Sequence, residues 1–209
     1  VRIHLEKAIP VQAGLGGGSS NAAATLLGTN VLTGNKLPSD EILRYAAQLG
    51  SDVPFFATRA AFALAWGRGE RLLAISGPRS APALIVKPDS GMSTRDAYEL
   101  LAARRGEDEV ARPLLLRPER FADWGSLAHL SANDFERVVL DCAPGLGDLF
   151  HHLEETGPII TRLCGSGTAI LAVYENTRKR DAALDLLPDV PVKISTRIRS
   201  ASIPEPVAL

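Results

Sequence analysis

Pro10-Val11-Gln12-Ala13-Gly14-Leu15-Gly16-Gly17-Gly18-Ser19-Ser20-Asn21-Ala22-Ala23-Ala24 decides how the rest of this chain is read. Four glycines in five positions let the backbone turn tightly and aim N–H groups inward, with no side chains in the way. Ser19, Ser20 and Asn21 then lead into a run where Ala22, Ala23, Leu26, Leu27 and Val31 recur at helical spacing. A glycine loop feeding a helix N-terminus is an anion site, because converging N–H groups and the positive end of the helix dipole favour phosphate. A flexible linker would continue into polar residues, and this loop continues into a helix.

Two common phosphate loops are excluded. A P-loop closes on Gly-Lys-Ser/Thr, and no lysine occurs between Lys7 and Lys36; in a dinucleotide fingerprint counted from Gly14 the third glycine would fall on Ser19. Phosphate charge must then be balanced by backbone dipoles, hydroxyls, a metal ion or cations from elsewhere. The pattern P-x-x-x-G-L-G-G-G-S-S-N-A-A resembles the ATP-binding motif of the GHMP small-molecule kinases. Its triple glycine with Ser-Ser-Asn resembles the branch that phosphorylates 4-diphosphocytidyl-2-C-methyl-D-erythritol in non-mevalonate isoprenoid synthesis. The resemblance implies ATP, with Mg²⁺, held at Pro10, Gly14, Leu15, Gly16, Gly17, Gly18, Ser19, Ser20 and Asn21. Ser19, Ser20 and Asn21 also suit a helix cap, and a capping hydroxyl beside exposed amides serves both roles.

Asp52 is the candidate catalytic residue. It lies in Gly50-Ser51-Asp52-Val53-Pro54-Phe55-Phe56, where a helix is expected to begin, so an N-cap aspartate is one reading. The segment also resembles the one holding the family's catalytic aspartate. That resemblance implies a carboxylate that takes the proton of the attacking hydroxyl or steers it electrostatically. Leu163-Cys164-Gly165-Ser166-Gly167-Thr168 resembles the third family motif, S-G-S/T-G, with Cys164 in place of the hydroxyl residue. Pro88-Asp89-Ser90-Gly91-Met92-Ser93-Thr94-Arg95-Asp96-Ala97-Tyr98 resembles P-x-x-x-x-S-T-x-x-x-Y. By resemblance, Thr94, Tyr98, Gly165, Ser166 and Gly167 bind the acceptor, and the Tyr98 ring stacks on its cytosine. Thr94 alone reads as a helix cap. Ala65-Trp66-Gly67-Arg68-Gly69-Glu70 and Ser131-Ala132-Asn133-Asp134-Phe135-Glu136 match two further family segments and are assigned structural roles, a hairpin turn and a capped helix start.

Composition sets the outer bounds. The 209 residues suffice for one large domain or two small ones, and 45% hydrophobic with 22% charged residues is ordinary for a globular protein. A net charge of −1 leaves no electrostatic footprint for nucleic acid or an anionic membrane. No apolar run approaches the length of a membrane span and nothing reads as a signal peptide, so a cytoplasmic location is expected. Cys142 and Cys164 lack metal spacing and read as reduced thiols, and His4, His129, His151 and His152 form no zinc pattern; no protein-held metal site is expected.

Periodicity orders the elements. Val1 to Leu5 alternates like a half-buried strand, and helices are expected over Ser20 to Leu32, after Ser39 as cap, and from Ser51-Asp52 onward. Strands at 60–65 and 70–75 flank a hairpin turn, and Gly77 to Pro82 reads as a linker. Beyond it come a strand (83–86), a helix (94–105), a polar stretch (106–109) and helices near 135–140 and 145–155. Strands at 159–163 and 169–174, a helix (177–187) and a strand (190–196) complete the order.

This order implies an α+β chain of two domains with a cleft between them. Residues 1–77 are expected to be the remainder of an incomplete N-terminal ATP-binding domain, and residues 82–209 a C-terminal domain of split β-α-β, ferredoxin-like type. In the family several dozen residues precede the glycine motif, carrying strands, a lysine that assists transfer and part of the acceptor site. The chain therefore reads as the C-terminal two-thirds or so of a longer kinase, expected to be poorly active alone. The implied acceptor is a small molecule bearing a cytidine diphosphate group. Mevalonate, homoserine or a sugar as acceptor, and a non-catalytic nucleotide-binding remnant, are the alternatives.

Overall fold

The computed structural model of the chain describes residues 2–89, 91–104 and 116–198; the polar stretch expected at 106–109 lies outside them. These residues form two compact units, residues 2–10 with 16–77 and residues 11–15 with 78–198.

The first unit is built on three helices. Helix α1 (Gly17–Leu32) starts earlier than the serines suggest, because Gly16 adopts a left-handed conformation (φ 66°) and turns the chain into the helix with no side-chain cap. Helix α2 (Ser39–Leu49) takes Ser39 as its first residue rather than its cap; Pro38 occupies the cap position, and Asp40 and Glu41 face the helix dipole's positive end. Helix α3 (Val53–Thr58) carries Pro54 in its first turn, where a missing N–H costs no hydrogen bond. Ala23, Ala46 and Val53 are the buried contacts among the three, with Leu26 and Phe56 packed against them. Small residues at those positions let the helices approach closely. Strands β1 (Ala63–Trp66) and β2 (Arg71–Ala74) pair antiparallel, Ala63 opposite Ala74 and Trp66 opposite Arg71.

Arg2 to Leu5 are not a strand, contrary to the strand expected over Val1 to Leu5, and Val1 itself lies outside the described residues. A strand is completed by a neighbour's backbone groups, and among the described residues none forms a ladder with this segment. Ile3 and Leu5 are accordingly exposed.

The second unit is a four-stranded antiparallel sheet in the order β4-β5-β3-β6. Its strands are β3 (Ala81–Lys87), β4 (Ile160–Leu163), β5 (Ile170–Val173) and β6 (Val192–Ile198). The helices are α4 (Thr94–Arg104), α5 (Trp124–Leu130), α6 (Glu136–Cys142), α7 (Pro144–Glu155) and α8 (Thr177–Leu186). Strand β5 lies between β3 and β4 and runs antiparallel to both, giving the split β-α-β arrangement, and the fold is α+β. Leu84, Val86, Ile170 and Ala172 form one face of the core, against Leu101, Val139, Leu146, Phe150 and Leu153 from the helices. Ala81, Ala83, Ile160 and Val173 point the other way and are covered by Trp124, Leu127 and Ala128 of α5. Pattern reading missed α5, although its cap is local: the Asp123 carboxylate accepts from Ser126 N–H at 2.8 Å.

Candidate active site

Within the second unit, two glycine segments far apart in sequence lie backbone to backbone. Gln12 and Gly14 both take left-handed conformations (φ 57° and 75°), which bring residues 12–14 against the turn after β4. A Cβ on Gly14 would lie 1.7 Å from the Cys164 carbonyl oxygen, and one on Gly167 would lie 2.2 Å from Gly14 N. No residue but glycine fits at either position. The buried Ala13 carbonyl accepts from Ala169 N–H at 3.3 Å, and the turn closes through Gly167 N–H to Cys164 O at 3.1 Å. Burial pushes the Cys164 thiol up to about 12, so it stays protonated and unreactive.

Thr94 and Ser166 meet at the same turn, with Ser166 Oγ donating to Thr94 Oγ1 at 3.2 Å. Thr94 is free for this because Ser93, not Thr94, caps α4, its hydroxyl accepting from Asp96 N–H at 3.1 Å. Tyr98 follows one turn later, a residue 58% exposed whose ring lies edge-on to Phe135 with centroids 4.9 Å apart. The two rings, with Leu101, Ala132, Asn133 and Asp134, border a cavity of about 450 Å³.

Residues 133–136 hold this arrangement, and the sequence reading missed that role. Asn133 Nδ2 donates to Leu163 O at 2.9 Å and to Gly165 O at 2.8 Å, while its Oδ1 accepts from Phe135 N–H at 3.0 Å. Glu136 Oε1 accepts from Leu163 N–H at 2.9 Å. Burial, above all, raises the Glu136 pKa, against the opposing pull of the Leu163 N–H bond and the Arg162 charge. The Asn-Asp-x-Glu pattern was visible, yet no local rule connects Asn133 with residues thirty positions away.

In the first unit the remaining candidates surround the start of α1. Gly16 is the cap, and a Cβ there would lie 2.6 Å from the Phe56 ring of α3; one on Gly17 would lie 2.9 Å from Ile9 Cγ2. Gly18 has open space around its Cα, with nothing within 4 Å of such an atom. The capping expected of Ser19, Ser20 and Asn21 does not occur. Ser20 Oγ donates backward to Gly17 O at 3.0 Å, and among the described residues α1 has no side-chain cap for its first-turn N–H groups, those of Gly17, Gly18 and Ser19 included. Pro10, Ser19 and Asn21 are half-buried, as is Leu15 at the end of the second unit's segment 11–15.

Asp52 sits at the cap position of α3, exposed, with no side-chain bond to the helix. Asp52 thus holds the cap position that the sequence suggested, but its carboxylate makes no capping hydrogen bond, and Pro54 at the second helical position has no N–H to offer one. Its segment is braced by the hairpin turn: a Cβ on Gly69 would lie 2.8 Å from Ser51 O. The Glu70 carboxylate folds across that turn and accepts from Arg68 N–H at 2.7 Å. Backbone hydrogen bonds, its own N–H first and that of Arg68 next, hold the Glu70 carboxyl below its ordinary range. A larger cavity of about 530 Å³, among Leu27, Asn30, Val31, Ile42 and Arg59, touches none of the candidate residues. Among the described residues no group of three or more His, Cys, Asp and Glu side chains is placed to hold a metal, and no helix is long and apolar enough to cross a membrane.

Comparison with known proteins matches residues 1–59 to the model of the GHMP kinases N terminal domain and residues 111–191 to that of the GHMP kinases C terminal domain. A 4-diphosphocytidyl-2-C-methyl-D-erythritol kinase of Desulfotalea psychrophila is 35% identical over 177 residues, covering 85% of this chain and 58% of the relative. The enzyme of the same name from Chloroherpeton thalassium is 34% identical, covering 90% of this chain and 66% of the relative. The chain thus spans roughly 58% to 66% of the length of these curated relatives. A crystal structure of 4-(cytidine 5'-diphospho)-2C-methyl-D-erythritol kinase superposes with a TM-score of 0.72 at 28% identity, covering 94% of this chain and 70% of that one.

Proposed function

Since the chain belongs to the GHMP kinase family, we propose that it transfers the γ-phosphoryl of ATP to a hydroxyl of 4-diphosphocytidyl-2-C-methyl-D-erythritol. The observation that carries this reading is the pair of glycine segments: Gly14 against Cys164 and Gly167, followed directly by the uncapped start of α1. First-turn backbone N–H groups that no side chain caps among the described residues, at the positive end of a helix of 16 residues, suit phosphate oxygens without a loop lysine. Gly14 to Asn21 would cradle the phosphates, with Pro10 setting the entry to the loop. Ser19 and Ser20 offer hard hydroxyl oxygens that fit Mg²⁺, with the nucleotide's own oxygens and water completing its shell. Bound there, Mg²⁺ would offset phosphate charge.

Asp52, exposed and not spent on a cap, would accept the proton of the attacking hydroxyl or hold that hydroxyl in line. The Tyr98 ring would stack on the cytosine, while Thr94, Ser166 and the Gly165 and Gly167 backbone would face the acceptor. The names of the curated relatives support this acceptor over others in the family. A panel of acceptors tests it: ADP formation is measured with the cytidine-bearing alcohol, mevalonate, homoserine and a hexose. Turnover with the first alone is the expected result, and preference for any other overturns the assignment. A cytoplasmic site of action accords with these small soluble substrates.

A further inference from the structure

We propose that Asn133 and Glu136 are positioning residues, which fix the turn after β4 in the register that meets Gly14, while Phe135 between them orients the Tyr98 ring. The inference rests on the functional reading above for its kinetic consequences, but its geometry is independent of it. Leu163 is the last residue of β4, and both its N–H and its C=O are bonded to side chains from residues 133–136. Asn133 uses both amide hydrogens, on Leu163 O and Gly165 O, and its own oxygen on Phe135 N–H fixes which way the amide faces. The clamp therefore grips the turn on both sides of Cys164.

Beyond Leu163 the chain leaves the sheet ladder, and within the turn Gly167 N–H to Cys164 O and Cys164 N–H to Ala169 O are the local closures. The contact with residues 13–14 has no slack, as the 1.7 Å and 2.2 Å distances to imagined Cβ atoms measure. A slip of a few tenths of an ångström would either clash there or open the Ala169-to-Ala13 hydrogen bond. The same short segment carries Phe135, whose ring meets Tyr98 edge-on at 4.9 Å. One four-residue element thus sets two groups assigned to the acceptor and the backbone contact of the nucleotide loop. A simple staple of α6 to the sheet would need neither the bond to Gly165 nor the ring contact.

The test combines amide exchange with kinetics on the whole protein. Asn133→Asp keeps size but turns an acceptor toward two carbonyls; Glu136→Ala removes the bond to Leu163, and Glu136→Gln keeps an oxygen facing it. Positioning predicts that Asn133→Asp and Glu136→Ala lose protection at Gly167 and Ala169, while Tyr174, bonded to Pro82 O at 2.9 Å in the sheet, keeps it. Glu136→Gln recovers the protection that Glu136→Ala loses. In the same variants the acceptor KM rises and kcat falls by about 10²-fold, the scale of a slightly misplaced reactant. Unchanged protection at Gly167 and Ala169 overturns the proposal, as does equal loss at Tyr174 in both Glu136 variants, which marks a structural staple. If the unaltered protein transfers no phosphoryl group while the exchange pattern responds as stated, the functional reading fails and the positioning role stands.

Discussion

Glycine matters here at particular atoms. Gly14 has a left-handed φ and a carbonyl oxygen where a Cβ would be, whereas Gly18 has neither constraint. Gly14→Ala is therefore expected to abolish nucleotide binding and to destabilise the second unit, and Gly18→Ala to fold normally, measured by nucleotide titration and urea unfolding. Equal behaviour of the two variants would contradict the backbone contact. At Tyr98, stacking uses the ring face, so Tyr98→Phe should be mild. Tyr98→Ala should weaken the cytidine-bearing acceptor by about 1–3 kcal/mol without touching ATP. Separate titrations of the two ligands decide it, and equal losses for both would refute the stacking role.

Glu136 makes a pH prediction whose sign follows from its environment. Burial raises its pKa above the ordinary 4.5, helped by Glu154 of α7 and opposed by the Leu163 N–H and by Arg162 of β4. A raised acid binds its proton more tightly when folded, so its contribution to stability is full below 4.5 and is lost as pH rises through the folded pKa. Glu136→Gln should flatten the stability profile over that window, read from urea midpoints at a series of pH values. An unchanged slope would show that the carboxylate titrates as if unfolded.

At the scale of elements, what the sequence made legible was whatever depends on neighbours a few residues away. Helical spacing after Gly18, the Pro54 entry, the Gly67-Arg68-Gly69 hairpin and the strands either side of Cys164 all follow from local periodicity and turn chemistry. The errors share one cause. Arg2 to Leu5 alternate like a strand, but among the described residues no ladder pairs with them, and no local pattern can supply one. Ser39 and Ser20 looked like caps, but Pro38 and Gly16 took those positions through their backbone angles. The segment 131–136 read only as a capped helix start, yet Asn133 also donates its amide hydrogens to Leu163 and Gly165. The candidate residues of the second unit were named from motifs, yet their contact through Gly14 and Gly167 became visible only in three dimensions. The helix–sheet core is the element that holds that contact still. Leu146→Ala, at a fully buried position facing the sheet, should cost about 2–5 kcal/mol of unfolding free energy. A loss well under 1 kcal/mol would mean that the site relaxes around the cavity.

At the scale of the whole molecule, the first unit supplies a helix start without a side-chain cap and an aspartate carboxylate that makes no cap bond, and the second unit supplies a clamped glycine turn. Each part has another use by itself: glycine turns connect strands, and aspartates precede helices. Together, in a chain of the GHMP kinase family, they make a specific chemical claim. The most direct measurement is acceptor-dependent ADP formation with the cytidine-bearing alcohol, for the protein and for Asp52→Asn side by side. Turnover that requires the acceptor and falls by about 10²–10⁴-fold in Asp52→Asn, with ATP affinity unchanged, is the expected result. ADP formation that ignores the acceptor, or an Asp52→Asn variant with nearly full kcat, would contradict it.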